Sequence, residues 1–153
     1  MREILFRGKR LDNGEWAEGY LVKTNSNTFI MYPNQFNDDL FLSPGNIFDG
    51  VDPDTVGQYT GLTDKNGKRI FEGDVFRYGF DEVAAIGVVK FGEYSFGSHF
   101  DMNNVGFYME WNPRAMYYRN DLGYWLKHMK AEIEFIGNIH DNPDLLKGGE
   151  GDG

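Results

Sequence analysis

Three histidines are the side chains in this sequence best suited to acid-base catalysis or to metal binding. They are His99, His128 and His140. His128 and Glu132 have the spacing that places two ligands on one face of a helix. The alternation from Ala131 to Phe135 predicts a strand, however, and a strand would separate those two side chains. A hydrolase-type enzyme that uses one of the three histidines is therefore a minor alternative.

Other motifs of catalysis and cofactor binding fit the sequence poorly. The stretch Asp64–Gly67 resembles the start of a calcium loop, but Lys68 stands where that loop requires a ligand oxygen. Ser98 and His99 are neighbours in sequence, and adjacent residues seldom form a nucleophile and its base. We assign no catalytic residue, no metal site and no cofactor.

The charge balance opposes general binding to nucleic acid. The net charge is -9, whereas affinity for a phosphate backbone depends mainly on Lys and Arg. We therefore expect no binding to duplex DNA. A narrower role on single strands would use Trp16 or Tyr59 for stacking and the basic residues that flank two Asn-Gly turns, namely Arg7, Lys9, Arg10, Lys65, Lys68 and Arg69. The same cations would also protect exposed strand edges from pairing.

One interval of the chain is acidic throughout. Between Lys23 and Lys65 there is no basic residue, and the interval contains Asp38, Asp39, Asp49, Asp52, Asp54 and Asp64. The ordinary interpretation is a solvated face that keeps the protein soluble. The alternative is a surface that imitates the charge of nucleic acid.

The composition favours a mainly β fold. Aromatic residues make up 16% of the chain and there are 20 Gly, which suits pleated sheets joined by tight turns. Asn13-Gly14 and Asn66-Gly67 predict two-residue type I′ hairpin turns. Alternating residues predict strands at 4–6, 16–22, 28–32, 58–60, 69–71, 75–78, 86–91, 106–111 and 132–136.

We expect these strands to form small, barrel-like antiparallel sheets. The turn-rich stretch from Pro33 to Asp54 reads as an extended connection. Short helices are predicted at 121–129 and at 142–146, where Asn142 can cap a helix that begins at Pro143. The two hairpins also share their glycine spacing, which either a duplication or common turn rules would produce.

The size and the ends of the chain indicate one domain in the cytoplasm. A length of 153 residues fits a single core. There is no Cys, no apolar run long enough for a membrane helix and no signal sequence. The glycine-rich tail, residues 148–153, has little to bury and is expected to be disordered.

Three stretches carry a resemblance to a known family. They are Met1–Gly8, Val51–Asp74 and Ile136–Leu146, and with them the chain resembles the YopX family of phage and prophage proteins over almost its whole length. The resemblance implies a phage or prophage setting inside a bacterial host cell, and one YopX-like domain over residues 1–147. Within it, residues 1–55 would form the N-terminal hairpin and long connection, and residues 56–147 the barrel-like part.

A non-enzymatic protein-interaction module best fits the whole sequence, with an unknown phage or host bacterial protein as partner. The many aromatic residues exceed what a modest β core can hold, so some must reach the surface. We expect them to mediate self-association. The predicted contact surface consists of Trp111, Tyr117, Tyr118, Tyr124 and Trp125.

Overall fold

The computed structural model describes residues 3–33, 47–79, 84–95, 103–112 and 120–146. The chain divides into two compact units, Met1–Gly61 and Leu62–Gly153. A single domain over residues 1–147 stays a prediction, and the tail at 148–153 lies outside the described residues.

The predicted mainly β fold is confirmed. The described residues form ten strands, in chain order β1 Phe6–Lys9, β2 Trp16–Lys23, β3 Thr28–Met31, β4 Phe48–Gly50, β5 Gly57–Thr63, β6 Arg69–Phe71, β7 Asp74–Tyr78, β8 Ala85–Ser95, β9 Asn103–Asn112 and β10 Ile133–Asn138. They build one sheet of order β4-β3-β2-β1-β5-β6 and a second of order β10-β7-β8-β9. Across the described ranges neither sheet closes on itself, so the barrel-like arrangement is corrected to two open sheets.

Helical structure is short and lies mainly where the sequence predicts it. The α-helix α1, Leu122–Lys127, falls within the predicted 121–129. The second predicted helix is a 3-10 turn, Pro143–Leu146. Two further 3-10 turns, Pro53–Thr55 and Lys130–Glu132, were not expected.

The first hairpin turn differs from the predicted type. Arg10 N donates to Glu15 O at 2.8 Å, and Gly14 N donates to Arg10 O at 2.9 Å. The loop therefore spans the four residues from Leu11 to Gly14. A two-residue turn at Asn13-Gly14 would require Asp12 to pair with Glu15, and the pairing instead ends at Arg10. Gly14 has the positive φ expected of it, 73°.

The second hairpin closes differently again. Asp64 N donates to Lys68 O at 2.9 Å, and Gly67 N donates to Asp64 O at 3.0 Å. These bonds define a three-residue loop in which a turn is followed by Gly67 at φ 82°. This geometry is the common three-residue hairpin with a left-handed glycine.

The predicted extended connection from Pro33 to Asp54 contains a strand. Its C-terminal part forms β4, which pairs antiparallel with β3. The three residues of β4 are too few to show a period of two in sequence. Residues 34–46 of the predicted connection lie outside the described part of the chain.

Each unit has its own core. In the first unit the buried residues Ala17, Ile30 and Val51 pack together. In the second, α1 covers one face of the β10-β7-β8-β9 sheet, and the cluster comprises Ile70, Phe76, Ala85, Val89, Met109, Trp111, Leu122, Trp125, Leu126 and Ile133.

Candidate interaction surface

The basic residues of the first hairpin are engaged within their own unit. The Arg7 guanidinium lies 4.6 Å from the centre of the Trp16 ring, and the Lys9 ammonium lies 5.6 Å from it. Arg7 is buried, at 5% exposure. Arg10 forms an ion pair with Asp12 at 2.6 Å. Binding to single-stranded nucleic acid would need the Trp16 ring and nearby cations, and here Arg7 and Lys9 already contact that ring.

The basic residues of the second hairpin are exposed. They are Lys65, Lys68 and Arg69. The Lys68 ammonium lies over the Phe135 ring, 4.3 Å from its centre, so it covers the face of an aromatic side chain in the same unit.

The two tryptophans of the predicted aromatic surface are part of the core. Trp111 and Trp125 are 5% and 3% exposed. Their ring centres are 4.7 Å apart, and Tyr78 lies 5.0 Å from Trp125. Tyr124 is half-buried against Trp125. Tyr117 and Tyr118 lie outside the described residues.

The histidines show no catalytic arrangement in the described ranges. His128 is exposed just after α1, with its ring 5.8 Å from that of Tyr124. His140 is half-buried in the turn that follows β10, and His99 falls outside the described residues. Among the residues that the structure describes, no group of three or more His, Cys, Asp or Glu could hold a metal ion.

Two of the stretches that carry the family resemblance meet in the second unit. Asn138 pairs opposite Asp74, and Ile139 N donates to Gly73 O at 2.9 Å. Asp74 is fully buried, and its Oδ2 accepts a hydrogen bond from Phe71 N at 2.8 Å. These contacts therefore hold the two stretches side by side.

The Asn138 side chain organises the turn after β10. Its Oδ1 accepts hydrogen bonds from His140 N at 2.9 Å and from Asp141 N at 2.8 Å, and its Nδ2 donates to Asp141 Oδ2 at 3.0 Å. Side-chain amides commonly satisfy backbone donors in this way at turns. The residues after β10, which include His140 and belong to the stretch Ile136–Leu146, thus form a turn.

Two aspartates of the acidic interval have the same role. Asp52 accepts from Asp54 N at 3.0 Å at the start of the 3-10 turn. Asp64 is buried and accepts from Asn66 N and Lys68 N at 2.8 and 2.9 Å. These carboxylates stabilise turns, which weakens the idea of a continuous surface that imitates nucleic acid. Asp38 and Asp39 lie outside the described residues.

The strongest candidate for a contact surface is one face of the strands of the first unit. Tyr20 is directly opposite Met31, which is directly opposite Phe48, so the three side chains form a row across β2, β3 and β4. Tyr20 and Phe48 are each 47% exposed. A sheet face with such a row presents aromatic and aliphatic groups to solvent.

A second row extends this surface. Val22 is opposite Phe29, which is opposite Gly50, and the Phe29 ring packs edge-on against Phe48 at 5.2 Å. Leu11, 69% exposed, lies beside Gly50. We call this surface the apolar face; it consists of Leu11, Tyr20, Val22, Phe29, Met31 and Phe48. Sequence reasoning missed it because β4 was not recognised, although the alternation in β2 and β3 places their four members on one face.

Comparison with known proteins adds one match. A protein-family model described as "YopX protein" matches residues 5–147. No curated protein matches the chain. In the described residues, no helix has the length and apolar character needed to cross a bilayer.

Proposed function

The chain belongs to the YopX protein family, and we propose that it acts as a non-enzymatic protein-interaction module whose contact surface is the apolar face. The phage or prophage setting and the bacterial cytoplasm are part of this proposal and follow from the family resemblance.

The observation that carries the proposal is the exposure of several large apolar side chains side by side on one sheet. Isolated exposed apolar residues are ordinary, whereas contiguous patches mark interaction sites. Tyr20 and Phe48 lie in one row, and Leu11 lies next to the second. Aromatic residues are also the type most enriched among residues that dominate binding energy.

The apolar face has a charged residue at one border, as is usual in protein interfaces. Glu18 is exposed on β2, two residues before Tyr20 and therefore on the same side of the strand. An apolar area with a charged residue at its border resembles the usual division into core and rim. A partner protein would bury the apolar centre and leave this charge near solvent.

The single-strand nucleic-acid alternative has less support. Base stacking needs an accessible aromatic ring beside cations that can contact phosphate. Here Trp16 is covered by Arg7 and Lys9, and Arg10 is paired with Asp12. A protein contact at the apolar face requires neither a ring that is accessible for stacking nor cations for phosphate.

Affinity capture with matched variants tests the proposal. Tagged wild type, the double variant Leu11→Ser/Phe48→Ser and the control Ile4→Ser are expressed in induced host cells. Ile4 is 52% exposed and lies outside the apolar face. We expect one stoichiometric partner with wild type and control, and its loss with the double variant.

Two further measurements make the result decisive. Thermal unfolding must show that the double variant remains folded, and calorimetry with the purified partner must show at least about tenfold weaker binding, the effect of losing one well-buried apolar group. A partner that binds the double variant as tightly as wild type would assign the interaction to another surface.

A further inference from the structure

The outer edge of β9 is a second surface with a chemistry of its own. β9 is the last strand of the β10-β7-β8-β9 order and pairs along its full length with β8, from Asn112 opposite Ile86 to Asn103 opposite Ser95. The register has no shift, so the direction of every backbone group can be derived from one bond.

That bond lies at Met109. Its N–H donates to Asn120 O at 2.7 Å, on the side away from β8. Because backbone groups alternate along a strand, the N–H groups of Phe107 and Val105 point outward as well. The close contact of Phe91 with Phe107, at 5.0 Å between ring centres, agrees with their being a non-hydrogen-bonded pair of the β8–β9 ladder.

The outward groups are available along a short stretch. Among the described residues, the outer edge of β9 is bridged at Tyr108 by Asp121. The stretch from Asn103 to Phe107 lies beyond this bridge and is centred on Val105, which is 72% exposed. On the same face, Phe91 is 52% exposed.

The charge of this stretch decides what can pair with it. No charged residue occurs from Asn103 to Met109, in a chain whose net charge is -9. Edge strands of soluble proteins are commonly protected by Lys, Pro or a bulge, and this edge carries none of them. Two copies of an acidic protein repel each other over most of their surfaces, and a neutral edge is where they can approach.

We propose that two copies of the chain pair antiparallel through the outer edges of their β9 strands, about a two-fold axis at Val105. This inference is independent of the apolar face. Val105 of each copy would contact its equivalent, and the Phe107 N–H would donate to the Asn103 carbonyl of the other copy. An antiparallel pair of identical strands has this symmetry by construction.

The acidic side chains directly opposite the two Val105 residues tolerate the pairing. Glu93 lies opposite Val105 on β8, so the two Glu93 residues would be three strand spacings apart, about 14 Å. That separation exceeds the Debye length of about 8 Å at physiological ionic strength. Dimerisation should consequently strengthen as salt is raised from low to physiological concentration.

Sedimentation equilibrium at tens of micromolar tests the inference with three variants of the full chain. Val105→Lys places two like charges in contact, and Val105→Pro removes an outward N–H that the β8–β9 ladder does not use. Ile4→Lys adds the same charge at an exposed site in the first unit. We expect a dimer for wild type and Ile4→Lys, about twice 17.6 kDa, and at least about tenfold weaker association for both Val105 variants.

Circular dichroism identifies a Val105 variant that has lost its fold, and the other variant then decides. A monomeric wild type overturns the inference and leaves the edge to a different partner. A wild-type dimer that persists in the folded Val105→Lys protein also overturns it, because the contact would then lie elsewhere. The Leu11→Ser/Phe48→Ser variant separates this inference from the proposed function. It should lose the stoichiometric partner and dimerise as wild type does.

Discussion

The Tyr32 hydroxyl donates a hydrogen bond to Asp49 Oδ2 at 2.5 Å and thereby joins the residue after β3 to the centre of β4. The same carboxylate oxygen lies 3.5 Å from Arg10 Nε. The Asp49 side chain is 12% exposed, so both contacts are made to a mostly buried carboxylate. Since β4 supplies Phe48 to the apolar face, the contact also positions part of the candidate interaction surface.

Removal of the Tyr32 hydroxyl should destabilise the first unit. Tyr32→Phe leaves a mostly buried carboxylate with one donor fewer, which costs about 1–3 kcal/mol. Urea unfolding measures the change in the free energy of unfolding. Tyr20→Phe is the matched control, because Tyr20 is 47% exposed and its hydroxyl should contribute within about 0.5 kcal/mol. Equal effects of the two variants would mean that the Asp49 contact contributes nothing specific.

Stability should fall at alkaline pH for the same reason. Burial, followed by the hydrogen bond to Asp49, raises the pKa of Tyr32 to about 12. An unfolded tyrosine loses its proton near pH 10, so between about pH 10 and 12 the folded state holds a proton that the unfolded state has released. The contribution is complete below pH 10 and is lost as pH rises through the folded pKa.

Unfolding measured at several pH values between 9 and about 12 checks this sign. Wild type should lose stability more steeply over that range than Tyr32→Phe, which lacks the group. Other tyrosines and lysines titrate there in both proteins and cancel in the comparison. Parallel curves would show that the folded Tyr32 titrates like an unfolded one.

The strands could be predicted because their period of two is a local property. Residues 69–71 match β6, and the predicted strands at 16–22, 75–78 and 106–111 lie inside β2, β7 and β9. The turn types were wrong because loop length depends on where pairing stops, at Arg10 with Glu15 and at Asp64 with Lys68, which the local sequence does not determine.

The burial of the two tryptophans could not be predicted for a related reason. Val105, Phe107 and Trp111 share one face of β9, as their alternation predicts. Trp111 packs in the core together with residues of α1 and is 5% exposed, while Val105 is 72% exposed. Where the covering helix ends along a strand is tertiary information, so the sequence could indicate the face without locating its exposed part.

Replacement of the left-handed glycine in the second hairpin should be costly despite ample space. Gly67 has φ 82°, and a Cβ built there meets no atom within 4 Å. Gly67→Val should therefore destabilise by about 1–2 kcal/mol through backbone strain alone. Gly67→Asn, which tolerates this conformation better, should cost clearly less in thermal unfolding. A loss that follows side-chain size instead would indicate crowding.

The turn after β10 should depend on the Asn138 amide. Asn138→Ala leaves the N–H groups of His140 and Asp141 without their acceptor, at a cost of about 1–3 kcal/mol. Asn138→Asp keeps an acceptor for both and loses the donor to the Asp141 carboxylate, so it should be the milder change at low pH, where the carboxyls are neutral. Chemical denaturation at two pH values separates the cases. Identical losses in both variants at low pH would contradict the assigned role.

The two tryptophans of the second unit provide the sharpest distinction between core and contact surface. Trp125 is 3% exposed and packs between Trp111 and Tyr78. Truncation to Ala removes these contacts and leaves a cavity, so Trp125→Ala should lower the free energy of unfolding by about 3–5 kcal/mol.

The effect of Trp125→Ala on stability should be independent of protein concentration, because the ring is buried within one copy. An interface residue would behave in the opposite way: its truncation would weaken association while the isolated chain kept its stability. Denaturation at two protein concentrations, compared with Val105→Lys under the same conditions, separates these outcomes. A folded Trp125→Ala protein of nearly normal stability that no longer associates would return this tryptophan to the contact surface.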